Sequence, residues 1–261
     1  MIWVRTASAI VAIVVALSVT SLGGWYFTAL LAAIVLLAQV EYFKLVRATG
    51  EAPAARTTLV ASQVLILIQQ IRPEWTSLTL TLGGTVICTY LLLKPKVATI
   101  NDVATSILGL FYCAYLPSFW ILVRSLDDGI KLIFLAYGCI WAADIGAYFA
   151  GKAFGKTPLT IVSPKKTVEG AVFGFGSSIA IALVGTYFLR WPFWPGSGMA
   201  IGLLVGAAGL LGDLTESLMK RNAGVKDSGD LIPGHGGILD RGDSYVFTAP
   251  LVYYFVQLLG V

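Results

Sequence analysis

The chain is poor in charged residues. Only 12% of its 261 residues are Asp, Glu, Lys or Arg, whereas 57% are hydrophobic and the mean hydropathy is +0.82. A soluble domain carries roughly 25% charged residues, so this composition excludes an ordinary water-soluble fold. Apolar runs of about 18 or more residues, long enough to cross a hydrocarbon core about 30 Å thick, recur along the chain. The sequence therefore predicts a polytopic integral membrane protein.

Cysteine and histidine are also scarce, which limits the available metal and redox chemistry. Cys88, Cys113 and Cys139 fall in apolar runs and are odd in number, so they favour small core residues over a disulfide framework. The single histidine, His235, argues against a zinc site. The sequence shows neither a catalytic cysteine pattern nor a Ser-His-Asp arrangement.

The net charge of +4 does not indicate nucleic-acid binding. The basic residues lie between apolar runs and form no stripe on a soluble surface. Anionic lipid headgroups or phosphorylated substrates are better partners for them.

Hydropathy predicts an all-α fold, a transmembrane bundle of about nine spans, or eight if the short third span is not one. With the N-terminus in the cytoplasm, 14 of the 18 Lys and Arg residues fall on the cytoplasmic side, as the positive-inside rule requires. The first apolar run has no convincing cleavage site and is interpreted as an uncleaved span. The predicted spans are 3–22, 25–43, 58–71, 76–93, 103–123, 130–150, 169–189, 199–219 and 244–260.

Composition changes along the chain and suggests two parts. Residues 1–129 form N-terminal transmembrane helices that are almost entirely apolar. Residues 130–261 form catalytic transmembrane helices joined by polar cytoplasmic loops, with acids and glycines in and beside the spans.

The densest polar segment runs from Ser217 to Asp243. Just before and within it, the spacing of Asp213, Glu216, Ser217 and Lys220 predicts one face of a helix. Further on, the spacing of Asp240 and Asp243 directs both carboxylates the same way. With Asp213 they could form an oxygen site suited to Mg²⁺. The alternative is that these acids only pair with Lys220, Arg221 and Arg241.

A glycine cluster in this segment predicts an anion site. Gly234, Gly236 and Gly237 surround His235, so the backbone can turn sharply and present N–H groups to a phosphate. His235 itself could donate to phosphate or make a structural hydrogen bond. Four cationic residues nearby favour a phosphate cradle over a plain turn: Lys220, Arg221, Lys226 and Arg241.

A second polar stretch runs from Asp144 to Gly170. Asp144 and Tyr148 share a helix face, with the acid inside an apolar span. Ser163 followed by Pro164 is typical of an N-cap and a first helical residue, which would leave N–H groups free for phosphate beside Lys165, Lys166 and Thr167. The alternative is a basic cluster that only fixes topology.

One familiar phosphate-binding motif is absent. Gly155, Lys156 and Thr157 match the end of a Walker A loop, but Ala150 stands where its first glycine belongs and no strand precedes it.

These residues resemble the membrane phosphatidate cytidylyltransferases, also called CDP-diacylglycerol synthases. The resemblance covers roughly the C-terminal half, and the segment from Ser163 to Gly170 is similar to a second polar stretch of that family. One departure is Gly242, where the family has an apolar residue or threonine. The matching signature residues are Ser217, Lys220, Arg221, Lys226, Asp227, Pro233, His235, Gly236, Gly237, Asp240, Arg241 and Asp243.

The resemblance implies transfer of a cytidylyl group from CTP to phosphatidate in phospholipid biosynthesis. Asp213, Asp240 and Asp243 would hold Mg²⁺, with Asp144 a further candidate ligand and a second cation left open. Lys220 and Arg221 would act in catalysis. The substrate-binding set would be Ser163, Lys165, Lys166, Thr167, Ser217, Lys226, Asp227, His235, Gly236, Gly237 and Arg241.

The same resemblance implies a multi-pass protein of the cell inner membrane, surrounded by membrane lipids, whose active site faces the cytoplasm. The sequence does not fix the oligomeric state, and a homodimer is one candidate assembly.

Two other functions fit parts of the pattern. A CTP-dependent polyprenol kinase would share the demand for metal and triphosphate but would release CDP. A transporter of a phosphorylated solute would place acids at the bilayer midplane and would show duplicated halves, and neither is evident.

Overall fold

The computed structural model describes residues 13–94, 98–231 and 236–260. In these ranges the chain forms helices joined by loops, without a β-strand. A 3₁₀ turn (Pro73–Trp75) precedes α4, and a π-helical turn (Phe111–Tyr115) joins α5 to α6. The helices are α1 (Ile13–Leu22), α2 (Gly24–Ala48), α3 (Ala55–Ile71), α4 (Thr76–Leu92), α5 (Ile100–Leu110), α6 (Leu116–Ser125), α7 (Gly129–Phe154), α8 (Val168–Phe188), α9 (Gly196–Asn222), α10 (Leu239–Val246) and α11 (Thr248–Leu259).

Six helical segments among the described residues are long and apolar enough to cross a membrane. The prediction of an all-α membrane protein is therefore confirmed. The six are Gly24–Ala48, Pro73–Leu92, Ile100–Ser125, Gly129–Phe154, Val168–Phe188 and Gly196–Asn222.

The remaining three predicted spans fall on shorter helices. The first, 3–22, is described only from residue 13 onwards, as α1. The third, 58–71, corresponds to α3, which has 17 residues. The last, 244–260, corresponds to α10 and α11, so the helical structure begins at Leu239 and is interrupted at Phe247.

The chain divides into two compact units. The first contains Met1–Ser125 and Met219–Gly242, and the second contains Leu126–Leu218 and Asp243–Val261. The predicted division into residues 1–129 and 130–261 as functional parts stays a prediction.

Polar side chains link the helices of the first unit. Gln39 of α2 donates to the hydroxyl of Ser62 on α3 (2.6 Å) and to the carbonyl of Gly109 on α5 (3.0 Å). The hydroxyl of Tyr42 donates to the carbonyl of Thr105 (2.8 Å). Lipid offers no competing hydrogen bonds, so such pairs help to specify which helices pack together.

Glycines allow close helix packing in the second unit. A Cβ on Gly174 of α8 would lie 2.9 Å from the carbonyl oxygen of Ala143 on α7, so the two backbones touch. A Cβ on Gly202 of α9 would lie 2.6 Å from the Cα of Ile179 on α8. The hydroxyl of Ser178 also donates to the carbonyl of Gly202 (2.7 Å). This backbone contact fixes α7, α8 and α9 around the polar groups described below.

Gly202→Ala should therefore destabilise the second unit, because the added methyl group forces α8 and α9 apart. The expected loss is about 1–3 kcal/mol, seen as a lower Tm of the purified protein in detergent. Gly176→Ala is the matched control, since its Cβ would meet nothing within 4 Å. An equal Tm for the two variants would contradict this account of the packing.

Candidate active site

A cavity of about 550 Å³ lies within the second unit. Its wall comes from α7, α8, α9 and the loop between α7 and α8. Most of the wall is apolar or glycine, and the polar groups are concentrated among a few side chains. These are Asp144, Tyr148, Lys152, Ser163, Lys165, Lys166, Thr167 and Asp213.

One face of α7 supplies three of these side chains. Asp144, Tyr148 and Lys152 are four residues apart and therefore lie above one another along the helix. The sequence predicts the first two as one face, and the structure confirms this. Lys152 is an additional cavity residue that the sequence analysis missed, although one more turn of the same spacing would have indicated it.

An ion pair joins two predicted site residues on this cavity. The ammonium group of Lys166 contacts the carboxylate of Asp213, and both side chains are partly exposed. Asp213 also accepts a hydrogen bond from the hydroxyl of Ser217 (3.3 Å), as expected for residues one helical turn apart. Asp144 lies within electrostatic range of both charges of the pair.

The charges on the cavity wall favour an anionic ligand. Lys152, Lys165 and Lys166 supply three positive charges, and Asp144 and Asp213 supply two negative charges. The lysines exceed the carboxylates by one, and a bound divalent cation would raise the positive charge further. Such a wall is suited to several clustered phosphates.

The prediction that Ser163 and Pro164 begin a helix is wrong. Helix α8 begins at Val168, and its N-cap is Thr167, whose hydroxyl accepts a hydrogen bond from the Gly170 N–H (3.1 Å). The hydroxyl of Thr167 thus takes the capping role expected of Ser163. The helix start is therefore displaced from Ser163 to Thr167, whereas phosphate binding by Ser163, which lines the cavity, stays a prediction.

Backbone pairing holds the loop between α7 and α8 in shape. Pro158 and Thr167 form an isolated antiparallel bridge, and the Leu159 N–H donates to the Lys166 carbonyl (2.8 Å). Glu169 in the first turn of α8 accepts hydrogen bonds from the N–H (3.2 Å) and hydroxyl (2.9 Å) of Thr157. The loop therefore holds Lys165 and Lys166 in place at the cavity wall.

Asp240 lies in the first unit and accepts hydrogen bonds at both oxygens. Oδ1 lies 2.6 Å from Lys220 Nζ. Oδ2 accepts from the N–H (2.9 Å) and hydroxyl (2.8 Å) of Ser228 and from the N–H of Gly237 (2.8 Å). The ion pair with Lys220 is the alternative contact that the sequence left open for this acid. The metal role of Asp240 stays a prediction.

Backbone N–H groups at Gly237 and at the two residues after it donate to carboxylates of the protein itself. Gly237 donates to Asp240, while Ile238 (3.1 Å) and Leu239 (2.9 Å) donate to Glu41 of α2. In this structure, therefore, a glutamate accepts hydrogen bonds of the kind predicted for phosphate. Glu41 is not among the residues predicted from the sequence, yet it is the one acid within Gly24–Ala48, and an isolated acid in a span usually marks a site.

The other predicted residues between Ser217 and Asp243 have varied surroundings. Arg221 donates to the carbonyl of Val225 (3.2 Å), and Lys226 and Asp227 are exposed. Gly236 has φ +80°, a conformation that favours glycine. Arg241 follows Asp240 in α10. Pro233, Gly234 and His235 lie outside the described residues.

Asp243 lies in the second unit, where α9 and α10 meet. A Cβ on Gly212 would collide with the backbone carbonyl of Asp243, so the backbones of the two helices touch beside Asp213. The carboxylate of Asp243 accepts from the Ser244 N–H (2.6 Å). Within the described ranges, no group of three or more His, Cys, Asp or Glu side chains has the arrangement of a metal site.

Comparison with known proteins extends the resemblance to nearly the whole chain. A model described as "Cytidylyltransferase family" matches residues 3–259. A Synechocystis protein named phosphatidate cytidylyltransferase is 51% identical, over 98% of this chain and 96% of its own. The chloroplastic phosphatidate cytidylyltransferase 5 of Arabidopsis thaliana is 41% identical, over 92% and 68%. The Staphylococcus haemolyticus phosphatidate cytidylyltransferase is 33% identical, over 95% and 96%.

Replacing both Lys165 and Lys166 with Gln should weaken phosphate binding, because two of the three positive charges on the cavity wall are lost. We expect the CTP or phosphatidate concentration needed for half-maximal turnover to rise at least about tenfold. Lys156→Gln is the control, because Lys156 belongs to the same loop but does not line the cavity. Unchanged kinetics with normal membrane insertion would support a role of the two lysines in topology alone.

Proposed function

The chain belongs to the cytidylyltransferase family, and we propose that it transfers a cytidylyl group from CTP to phosphatidate, giving CDP-diacylglycerol and pyrophosphate. The observation that carries this proposal is the cavity of the second unit, in which three lysines and two carboxylates face the same space. Relatives that align with almost the whole chain are named for this activity.

The reaction needs positioning more than proton transfer. A phosphate monoester has a second pKa of about 6, so phosphatidate is largely dianionic at pH 7 and its oxygen is already a competent nucleophile. This oxygen forms a bond to the α-phosphorus of CTP, and the bond from that phosphorus to the β-phosphate oxygen breaks. Pyrophosphate leaves with the electron pair.

The lysines of the cavity fit this chemistry. Two highly charged anions must approach each other, and their repulsion falls when ammonium groups lie beside the phosphates. Lys166 is held by Asp213, and Lys165 projects from the same ordered loop. These two side chains would hold phosphates of CTP or phosphatidate, and Lys152 would extend the cationic wall. Lys220, Arg221, Lys226 and Arg241 remain candidates for the triphosphate.

Magnesium fits the acids of the cavity. Mg²⁺ usually binds through one or two protein carboxylates together with waters and substrate phosphates. Asp144 and Asp213 line the same cavity and offer this donor set, with Asp243 as a further candidate in the same unit. When bound, the ion would neutralise charge on the triphosphate. Asp240 is also predicted to bind it from the sequence signature.

We also propose the nine-span topology with a cytoplasmic N-terminus, in the cell inner membrane. The distribution of Lys and Arg supports it, since 14 of 18 then face the cytoplasm. A cytoplasmic active site would let a lipid headgroup meet a soluble nucleotide.

The proposal is tested with purified protein, CTP, phosphatidate and Mg²⁺. We expect a nucleotide-lipid product and pyrophosphate in equal amounts. A CTP-dependent kinase would instead release CDP and transfer only the terminal phosphate. Release of CDP without a cytidine-containing lipid would overturn the proposed function.

Asp213→Asn should raise the Mg²⁺ concentration for half-maximal turnover by about tenfold, because the variant keeps the size of the side chain but removes its charge. Asp128→Asn is the control, since Asp128 pairs with Lys131 and does not line the cavity. If Asp213→Asn leaves the Mg²⁺ concentration for half-maximal turnover unchanged, Asp213 is not a metal ligand.

Asp240→Asn then separates the two roles open to Asp240. If Asp240 is a metal ligand, Asp240→Asn should raise the Mg²⁺ concentration for half-maximal turnover as Asp213→Asn does. If Asp240 only pairs with Lys220 and the loop, Asp240→Asn should lower the Tm and leave that Mg²⁺ concentration unchanged.

A further inference from the structure

Glu41 is a buried carboxylate that the chemistry described so far does not use. It lies near the end of α2 and is 4% exposed. Its oxygens accept hydrogen bonds from the N–H groups of Ile238 (3.1 Å) and Leu239 (2.9 Å), and the Ser228 hydroxyl, which has one proton for this carboxylate and that of Asp240, lies 3.1 Å from Oε2. All these donors belong to the signature segment, which we define as the described residues 223–231 and 236–240.

The backbone of the signature segment fits closely around this carboxylate. A Cβ on Gly229 would lie 2.6 Å from Glu41 Oε1, and a Cβ on Gly237 would collide with Glu41 Oε2 and the Ser228 hydroxyl. Side chains at either glycine would therefore displace the carboxylate. The Glu41 carboxylate therefore fits closely among residues that are nearly 190 positions away in the chain.

A chain of contacts connects Glu41 to Lys220. The Ser228 hydroxyl lies 3.1 Å from Glu41 Oε2 and 2.8 Å from Asp240 Oδ2, and Asp240 Oδ1 lies 2.6 Å from Lys220 Nζ. Side chains of this group are almost fully enclosed, with Lys220 12% and Asp240 8% exposed. A displaced Glu41 would therefore disturb the position of the Lys220 ammonium group through Ser228 and Asp240.

We propose that Glu41 is a positioning residue that holds the signature segment, and with it Lys220, in the geometry needed to bind the triphosphate of CTP. The inference rests on the proposed function for the identity of the ligand. In this role Glu41 acts through the segment and not through a contact of its own with substrate. Its role is to bind the segment through two backbone hydrogen bonds and a shared hydroxyl contact, none of which an apolar side chain could accept.

Kinetics distinguish positioning from simple stabilisation. Glu41→Gln places an amide NH₂ group against donors of the segment, so at least one hydrogen bond is lost. At saturating phosphatidate we expect the KM for CTP to rise about tenfold and kcat to change less. A contact that only stabilises the fold would reduce the active fraction and leave KM unchanged, which would overturn the proposal.

Glu51→Gln is the matched control. Glu51 belongs to the same unit and accepts a hydrogen bond from the Asn101 amide (2.9 Å), but it does not touch the signature segment. Its KM for CTP should stay within about twofold of the original protein. A tenfold rise for both variants would show that the effect is not specific to Glu41, and would overturn the proposal.

Trypsin cleavage after Lys226 gives a readout that needs no activity. Lys226 is exposed and lies within the signature segment. Cleavage follows the population of the open segment, so Glu41→Gln should be cut about tenfold faster, and Glu51→Gln at the original rate. Equal cleavage rates for Glu41→Gln and the original protein would overturn the proposal.

Ser228→Ala keeps the test decisive if Glu41→Gln does not fold. It removes only the hydroxyl that links the two carboxylates, and we expect a rise of about threefold in both KM and cleavage rate. No change in either would overturn the proposal. If the original protein makes no nucleotide lipid, the proposed function fails, while faster cleavage of Glu41→Gln alone still supports its hold on the segment.

Discussion

An ionised group near lipid is stable only beside a partner, and this constraint organises the polar parts of the protein. Burial limits the access of water, so a buried carboxylate must find donors within the chain. Asp213 contacts Lys166, Asp240 contacts Lys220 and two backbone N–H groups, and Glu41 contacts two further N–H groups. These contacts stabilise one conformation of the polar loops.

The sequence predicted those features that depend on local spacing. Apolar runs identified the membrane helices, and the one-turn spacing of Asp213 and Ser217 and of Asp144 and Tyr148 placed each pair on one face. The signature from Ser217 to Asp243 identified the family, which the comparisons confirm across residues 3–259. Each of these inferences used residues that are close in the chain.

Predictions failed where distant residues or competing caps decided the outcome. Ser163 and Pro164 have the composition of a helix start, but Thr167 takes the N-cap because the preceding loop pairs with it. Nothing in the local sequence indicates that Glu41 accepts the N–H groups of Ile238 and Leu239, since it is nearly 200 positions away from them. Conformational propensity describes the structures that a segment can adopt alone, and tertiary contacts determine which of them forms.

The cavity of the second unit is largely shaped by missing side chains. Five glycines line it: Gly151, Gly170, Gly174, Gly206 and Gly209. An added Cβ on two of them would strike the α7 backbone, since on Gly170 it would lie 2.8 Å from the carbonyl oxygen of Ala147 and on Gly174 2.9 Å from that of Ala143. Gly209 could take a Cβ with ordinary van der Waals contacts, whereas Gly170 could not. The cavity wall therefore includes positions that only glycine can occupy without moving a helix, such as Gly170, beside positions such as Gly209 where a larger residue could pack.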